Sequence, residues 1–410
     1  MLDVVVIGAG AAGCFITTVL SELDPKRKIT LLEKTRQPLA KVKISGGGRC
    51  NVTHNCFEVD KLIESYPRGK EFLRSAFHRF QPKDMMNWLN EHQVEVAAET
   101  DGRCFPKTNR SQTIIDCLMR CINQGSVALC LEKEVIGLHP CKEGWEVICR
   151  DESRYVCKKV VFATGGMTRS YPVLEALGHT MVEPVPSLFS FDLQEEWIKM
   201  LPGSSVPLAH ISIKGASFSA KGPLLITHVG ISGPAVLRLS SYAARWFAEG
   251  KYRAEIRVNW TGDLSCLQIK EALYEQKKRA SIKKVVLAPL FSFSKNLWKA
   301  FLVQLCPTAL EKTWAEVSRN EINQISEGLF QMTFTMIGKS THKEEFVTAG
   351  GVDLDEVHPK TLESRKAEGL YFTGEVLNID GVTGGFNFQS AWTTAWCAAQ
   401  AIHQSLLENG

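Results

Sequence analysis

Six positions near the start of the chain, Gly8-Ala9-Gly10-Ala11-Ala12-Gly13, constrain the fold more than any others. They follow Leu2-Asp3-Val4-Val5-Val6-Ile7, a β-branched run that suits a buried parallel strand. Cys14 to Leu23 reads as a helix. The next apolar run, Ile29 to Leu32, ends in Glu33, twenty residues after Gly13. Strand, glycine turn, helix, strand and acid together make a dinucleotide-binding βαβ unit. Gly8 makes the tight turn, Gly10 lets the backbone approach a pyrophosphate, and Gly13 lets helix and strand pack closely. The helix N-terminus offers N–H groups and a positive dipole end to phosphates, and Glu33 accepts hydrogen bonds from the adenosine ribose. The competing reading is a glycine turn in an unliganded βαβ unit.

Composition sets the outer limits. The chain has 410 residues, a formal charge of +4, 44% apolar and 22% charged residues. These values exclude disorder, collagen and a small disulfide scaffold, and the length predicts two or three domains. Thirteen cysteines are scattered without a C-x-x-C pair. Cys50, His54 and Cys56 lie close together but lack a fourth ligand at a usual spacing, so no metal is expected. Reduced thiols in a cytoplasmic protein are the expectation. Val4 to Ser21 carries no charge, but glycines interrupt it and no basic segment precedes it. It reads as neither a signal peptide nor a membrane span.

A second glycine-rich loop, Ser45-Gly46-Gly47-Gly48-Arg49-Cys50-Asn51, follows a dozen residues after Glu33. Lys34, Arg36, Lys41, Lys43 and Arg49 surround it, with no acid between Glu33 and Glu58. Consecutive glycines permit close backbone approach to something flat or anionic; the alternative is a flexible basic surface loop.

The stretches VVVIGAGAAG, KVKISGGGRCNVT, LITHVGISGPA and TAGGVDLDEVHPKTLES…GLYFTGEVLNIDGVTGGFNFQSAW resemble the signatures of the BaiN/RdsA-type, aminoacetone-oxidase-like flavoproteins. The resemblance runs from Val4 to about Trp396. It implies FAD, with Gly8, Gly10, Ala12, Gly13 and Glu33 on the ADP half and Lys41, Gly47, Gly48 and Asn51 near the pyrophosphate, ribityl chain and ring. Lys34, Val135, Thr164, Gly374, Glu375, Gly385, Asn387 and Phe388 complete the implied cofactor set. Glu375 stands where related flavoproteins usually place aspartate. The helix after Gly384-Gly385 would stabilise negative charge at the pyrimidine edge of the ring; the alternative is a glycine hinge before a packing helix.

The expected fold is α/β, a discontinuous glutathione-reductase-type FAD-binding Rossmann domain with β-barrel-like and helical insertions. Helices are expected over Pro82 to Gln93 and Ser111 to Asn123, and a strand from Val160 ends in Thr164-Gly165-Gly166. Period-two alternation at His210-Ile211-Ser212-Ile213 predicts a β-rich insert over 187–262. Leucines and tryptophans at helical spacing predict a helical insert over 263–330. Residues 1–186 and 331–410 then form the FAD domain. No second G-x-G-x-x-G marks a nicotinamide domain, so NAD(P)H is expected to dock transiently.

Two side chains stand out for proton transfer. Cys50 is flanked by Arg49, which would lower its pKa; its alternative is a small packed thiol. His228, in Thr227-His228-Val229-Gly230, is either a proton donor or a hydrogen-bonded structural histidine. Lys277, Lys278, Arg279, Lys283 and Lys284 begin a stretch, Gln276 to Leu310, without a single acid. The charge of +4 is +7 over that stretch, +5 over Lys34 to Phe57 and −8 elsewhere. Such a patch tracks phosphates or is merely a solvated face. Trp298 and Phe301 within it read as core residues or base-stacking ones.

Relatives of this kind reduce uridine in large-subunit ribosomal RNA to dihydrouridine, and another branch reduces steroid enones. The resemblance therefore implies reduction of a carbonyl-conjugated C=C bond, with 23S rRNA or a ribosome precursor as partner. The rivals are a small-molecule enone reductase or amine oxidase, and an FAD-binding protein without redox turnover.

Overall fold

The computed structural model describes residues 1–166, 168–340 and 347–408. The chain divides into two compact units, Met1–Pro186 with Lys343–Gly410, and Ser187–His342.

In the first unit the β-branched run Leu2–Ile7 is the central strand of a seven-stranded sheet. It pairs in parallel with Ile29–Leu32 (Val4 opposite Ile29) and with Arg154–Phe162 (Val5 opposite Val160). Val127–Cys130 extends the sheet on one side, and Leu370–Phe372 joins Arg154–Phe162 with Tyr371 opposite Val161. The hairpin Val135–Cys141 and Gly144–Cys149 adds antiparallel strands at the outer half of Arg154–Phe162. Val4, Val5, Val6, Leu31 and Leu32 are wholly buried, as strands covered on both faces require. Helix Ala11–Leu23 packs against the long C-terminal helix Phe386–Glu408, with Phe15 edge-on to Trp392 at 5.4 Å. The C-terminal segment thus returns to the sheet its first strand began.

The second unit is a closed six-stranded barrel. Its order is Ser190–Leu193, Gly230–Ser232, Ser219–Ile226, Ser205–Ile213, Ala254–Asn259 and Met332–Ser340, which pairs back to Ser190–Leu193. Ser219–Ile226 alternates exposed and buried residues without a break, the period-two pattern of a strand with one face in a core.

Two sequence-based limits are corrected here. Residues 331–340 do not belong with the dinucleotide-binding unit, because Met332–Ser340 is the strand that closes the barrel. A lone amphipathic strand reads the same in either sheet. The limit at 262/263 does not separate two cores either. Helices Cys266–Arg279, Lys295–Leu305 and Arg319–Gln331 share one core with the barrel, with Trp260 and Phe301 at 5.0 Å. No described helix is long and apolar enough to cross a membrane, and all thirteen cysteines are free.

Candidate functional site

The site is built where the chain leaves the C-terminal end of Leu2–Ile7. Gly8 has φ +103°, and a Cβ there would lie 2.6 Å from the Ala163 carbonyl oxygen. On Gly13 it would lie 1.8 Å from the Gly8 carbonyl oxygen. These positions need glycine because turn, helix and neighbouring strand touch. Gly10 differs: a Cβ there meets no atom within 4 Å. Helix Ala11–Leu23 starts at it without a capping side chain, so its first N–H groups are available to an anion. The Ala12 methyl faces Gly374, where a Cβ would approach it to 2.9 Å.

The Glu33 carboxylate is already oriented. One oxygen accepts the Ala9 N–H at 2.9 Å, and the other accepts the N–H and hydroxyl of Thr35, both at 2.9 Å. The first keeps a lone pair for a ribose hydroxyl. The Glu33 N–H donates to Cys130 and its carbonyl accepts from Lys133. Lys34 follows it in the chain, and Val135, two residues beyond Lys133, opens the next strand.

In the second glycine loop helix Ala40–Gly48 breaks at Ser45. Gly46, Gly47 and Gly48 take φ of +58°, +68° and +82°, and a Cβ on Gly47 or Gly48 would enter open space. Asn51 acts inside the protein. With its amide turned to satisfy both ends, it accepts from the Gly385 N–H at 3.0 Å and donates to the carbonyls of Thr53 and Cys104. Asn387 binds Gly381 in both directions at 2.8 Å, and Phe388 stacks on Trp392. Asn51 and Asn387 thus shape the loop that leads into the C-terminal helix.

Lys41 donates to Glu375 at 2.8 Å, and the other Glu375 oxygen accepts the Thr348 N–H at 2.9 Å. Thr164 and Ser170 share a hydroxyl hydrogen bond of 3.1 Å. The Tyr171 hydroxyl is buried without a hydrogen-bond partner, and its pKa is raised by burial and then by the Glu375 charge. Open backbone at Gly10, Gly47 and Gly48, an oriented Glu33 and an orphaned tyrosine hydroxyl fit an extended dinucleotide such as FAD.

A family model described as "HI0933-like protein Rossmann domain" matches residues 2–401. The chain belongs to the HI0933-like family of FAD-dependent Rossmann flavoproteins. It is 30% identical to the ribosomal RNA dihydrouridine synthase of Escherichia coli K12 over 416 aligned residues, covering 98% of each chain. It is 25% identical to the 3-dehydro-bile acid delta(4,6)-reductase of Clostridium scindens, over 97% of this chain and 98% of that one. The crystal structure of 3-ketosteroid delta1-dehydrogenase from Sterolibacterium denitrificans shares the fold, at TM-score 0.53 and 12% identity over 98% of this chain and 99% of that one.

In this HI0933-like flavoprotein several expected roles change. Cys50 is 0% exposed, and burial pushes its thiol up to about 12, against a small lowering by Ser45. Arg49 does not lower it. The guanidinium lies over the Phe105 ring at 3.9 Å and pairs with Glu99 at 2.7 Å. The packed-thiol reading therefore describes Cys50. His228 is exposed in the Thr227–Gly230 turn of the barrel unit.

Three lysines of the basic stretch are engaged by partners just outside it in sequence. Lys277 donates to the Val317 carbonyl, Lys278 pairs with Glu275, and Lys284 pairs with Glu311. Arg279, Lys283 and Lys295 remain exposed. Trp298 and Phe301 are fully buried, and the Trp298 indole donates to the Val285 carbonyl at 2.8 Å; they are core residues. Sequence reasoning missed Thr348 and the ordering of Glu375 by Lys41. No local pattern reports a pair so far apart in the chain.

Proposed function

We propose that this chain is a cytoplasmic FAD-dependent reductase of a carbonyl-conjugated C=C bond, converting uridine in 23S rRNA to dihydrouridine with NAD(P)H as transient reductant. The observation that carries the reading is the similarity, 30% identity over 98% of both chains, to a protein named as a ribosomal RNA dihydrouridine synthase. FAD, when bound, supplies the hydride chemistry such a reduction needs. The chain's own residues supply position and protons. The glycine backbone and helix start at Gly10 bind the pyrophosphate, Glu33 holds the ribose, and Lys41 with Glu375 orders the middle of the cofactor. Reduction at C6 of uracil requires a proton at C5. Cys50 is enclosed, so His228 is the proposed donor. The base must leave its stack to react, and Arg279, Lys283 and Lys295 are the proposed phosphate-binding side chains.

The deciding experiment is mass spectrometry of nucleosides from 23S rRNA of cells with and without the gene. Dihydrouridine present with the gene and absent without it is expected; an unchanged content overturns the proposal. The similarity to a bile acid reductase favours one second reading, a small-molecule enone reductase. It expects rapid turnover of free enones and no dihydrouridine change.

A further inference from the structure

Far from the glycine cradle, three helical segments bring three different donor types together. Glu22 is on helix Ala11–Leu23, His92 caps helix Pro82–Glu91, and Cys121 is on helix Ser111–Gln124. One ligand atom of each lies within 4.8 Å of the others. Glu22 is twelve residues along its helix from Gly10, roughly 18 Å at 1.5 Å per residue.

The surroundings orient these atoms. His92 Nδ1 lies 2.7 Å from the Trp88 carbonyl oxygen, and the imidazole stacks on the Trp88 ring at 3.9 Å. With Nδ1–H donating to that carbonyl, a neutral ring presents the Nε2 lone pair. Nε2 is 2.9 Å from one Glu22 oxygen, and the Trp88 indole N–H donates to the other at 3.2 Å. Two lone pairs that close need a positive charge between them, either a proton on Nε2 or a metal ion. Cys121 adds a half-buried thiol sulfur to the same cluster. A thiol gives up its proton when it ligates a metal, so the sulfur would bind as the thiolate.

We propose that Glu22, His92 and Cys121 bind a thiophilic divalent cation of the zinc class, with water in the fourth position. Imidazole and thiolate select zinc over calcium or magnesium, and one oxygen, one nitrogen and one sulfur are within the normal zinc ligand set. Trp88 orients both other ligands, through its carbonyl to His92 and its indole N–H to Glu22.

The test is titration of the intact flavin-loaded chain with Co(II), following the thiolate-to-cobalt charge-transfer absorption against the flavin background. Saturation at one ion per chain, displacement by Zn(II), and at least about a tenfold loss of affinity in Cys121→Ser and His92→Ala are expected. Flavin content and far-ultraviolet circular dichroism report whether each variant is folded. Absence of the band in the parent chain overturns the proposal. Retention of the band at parental affinity in either folded variant does so as well. Should Cys121→Ser misfold, the parent and folded His92→Ala chains still decide the question.

Discussion

Lys41 and Glu375 lie 334 positions apart in the chain, yet the lysine ammonium donates to the carboxylate at 2.8 Å. The same carboxylate receives the Thr348 N–H, so one side chain joins the glycine-loop helix to the C-terminal return of the sheet. The pair is partly exposed, at 52% and 21%, so breaking it costs less than about 1 kcal/mol of stability. Glu375→Gln is expected to weaken FAD binding roughly tenfold, about 1.4 kcal/mol. Flavin titration of the apoprotein measures this; an unchanged Kd removes Glu375 from the cofactor set.

Gly10 and Gly13 separate cofactor space from packing space. Gly10→Val places atoms where no protein atom lies, so stability should stay within about 0.5 kcal/mol while FAD retention is lost. Gly13→Ala collides with the Gly8 carbonyl and should cost more than roughly 3 kcal/mol. Urea melts of the two apoproteins compare them; equal losses would contradict this division.

Cys50→Ala should leave kcat within about twofold and cost about 1 kcal/mol of stability, because the thiol is enclosed. Loss of a general acid would instead lower turnover ~10²–10⁴-fold. That larger fall is expected of His228→Gln, and rates for the two variants under identical conditions distinguish the roles.

Stability should fall with acid in two windows. Burial depresses His179 below its ordinary 6.5 despite Glu356, so the folded state favours the neutral ring. That stability is complete above pH 6.5 and is lost as pH falls toward the folded value. Burial acts to raise Glu356, but hydrogen bonds from Lys366, Thr180 and His179 outweigh it and hold the carboxyl at about 2, below its ordinary 4.5. Its contribution is present above pH 4.5 and lost between 4.5 and about 2. Chemical denaturation from pH 7 to 3 tests both, and Glu356→Gln should flatten the lower window.

Reversal of Arg279, Lys283 and Lys295 to glutamate should weaken rRNA binding and reduce the magnitude of its log–log salt slope by up to about 0.9 for each phosphate no longer neutralised. Lys278→Glu should matter less, because Glu275 already pairs with it. Filter binding over a salt series decides; an unchanged slope in the triple variant excludes this patch.

The sequence by itself determined the dinucleotide-binding half. Its signals are local: β-branched runs buried on both faces, glycines at a fixed spacing, and an acid at the end of the next strand. Period-two alternation likewise announced the barrel strand Ser205–Ile213. Tertiary structure decided what depends on residues far apart. Met332–Ser340 closes the barrel instead of rejoining the first sheet, since an amphipathic strand carries no label for its partner. Burial made Cys50 a packed thiol, and Glu311 and the Val317 carbonyl took up two lysines of the basic run. Glu375 met Lys41 only after the chain had returned through a whole second unit. Spacing in sequence sets local conformation; which charges and lone pairs meet is settled by desolvation and packing across the fold.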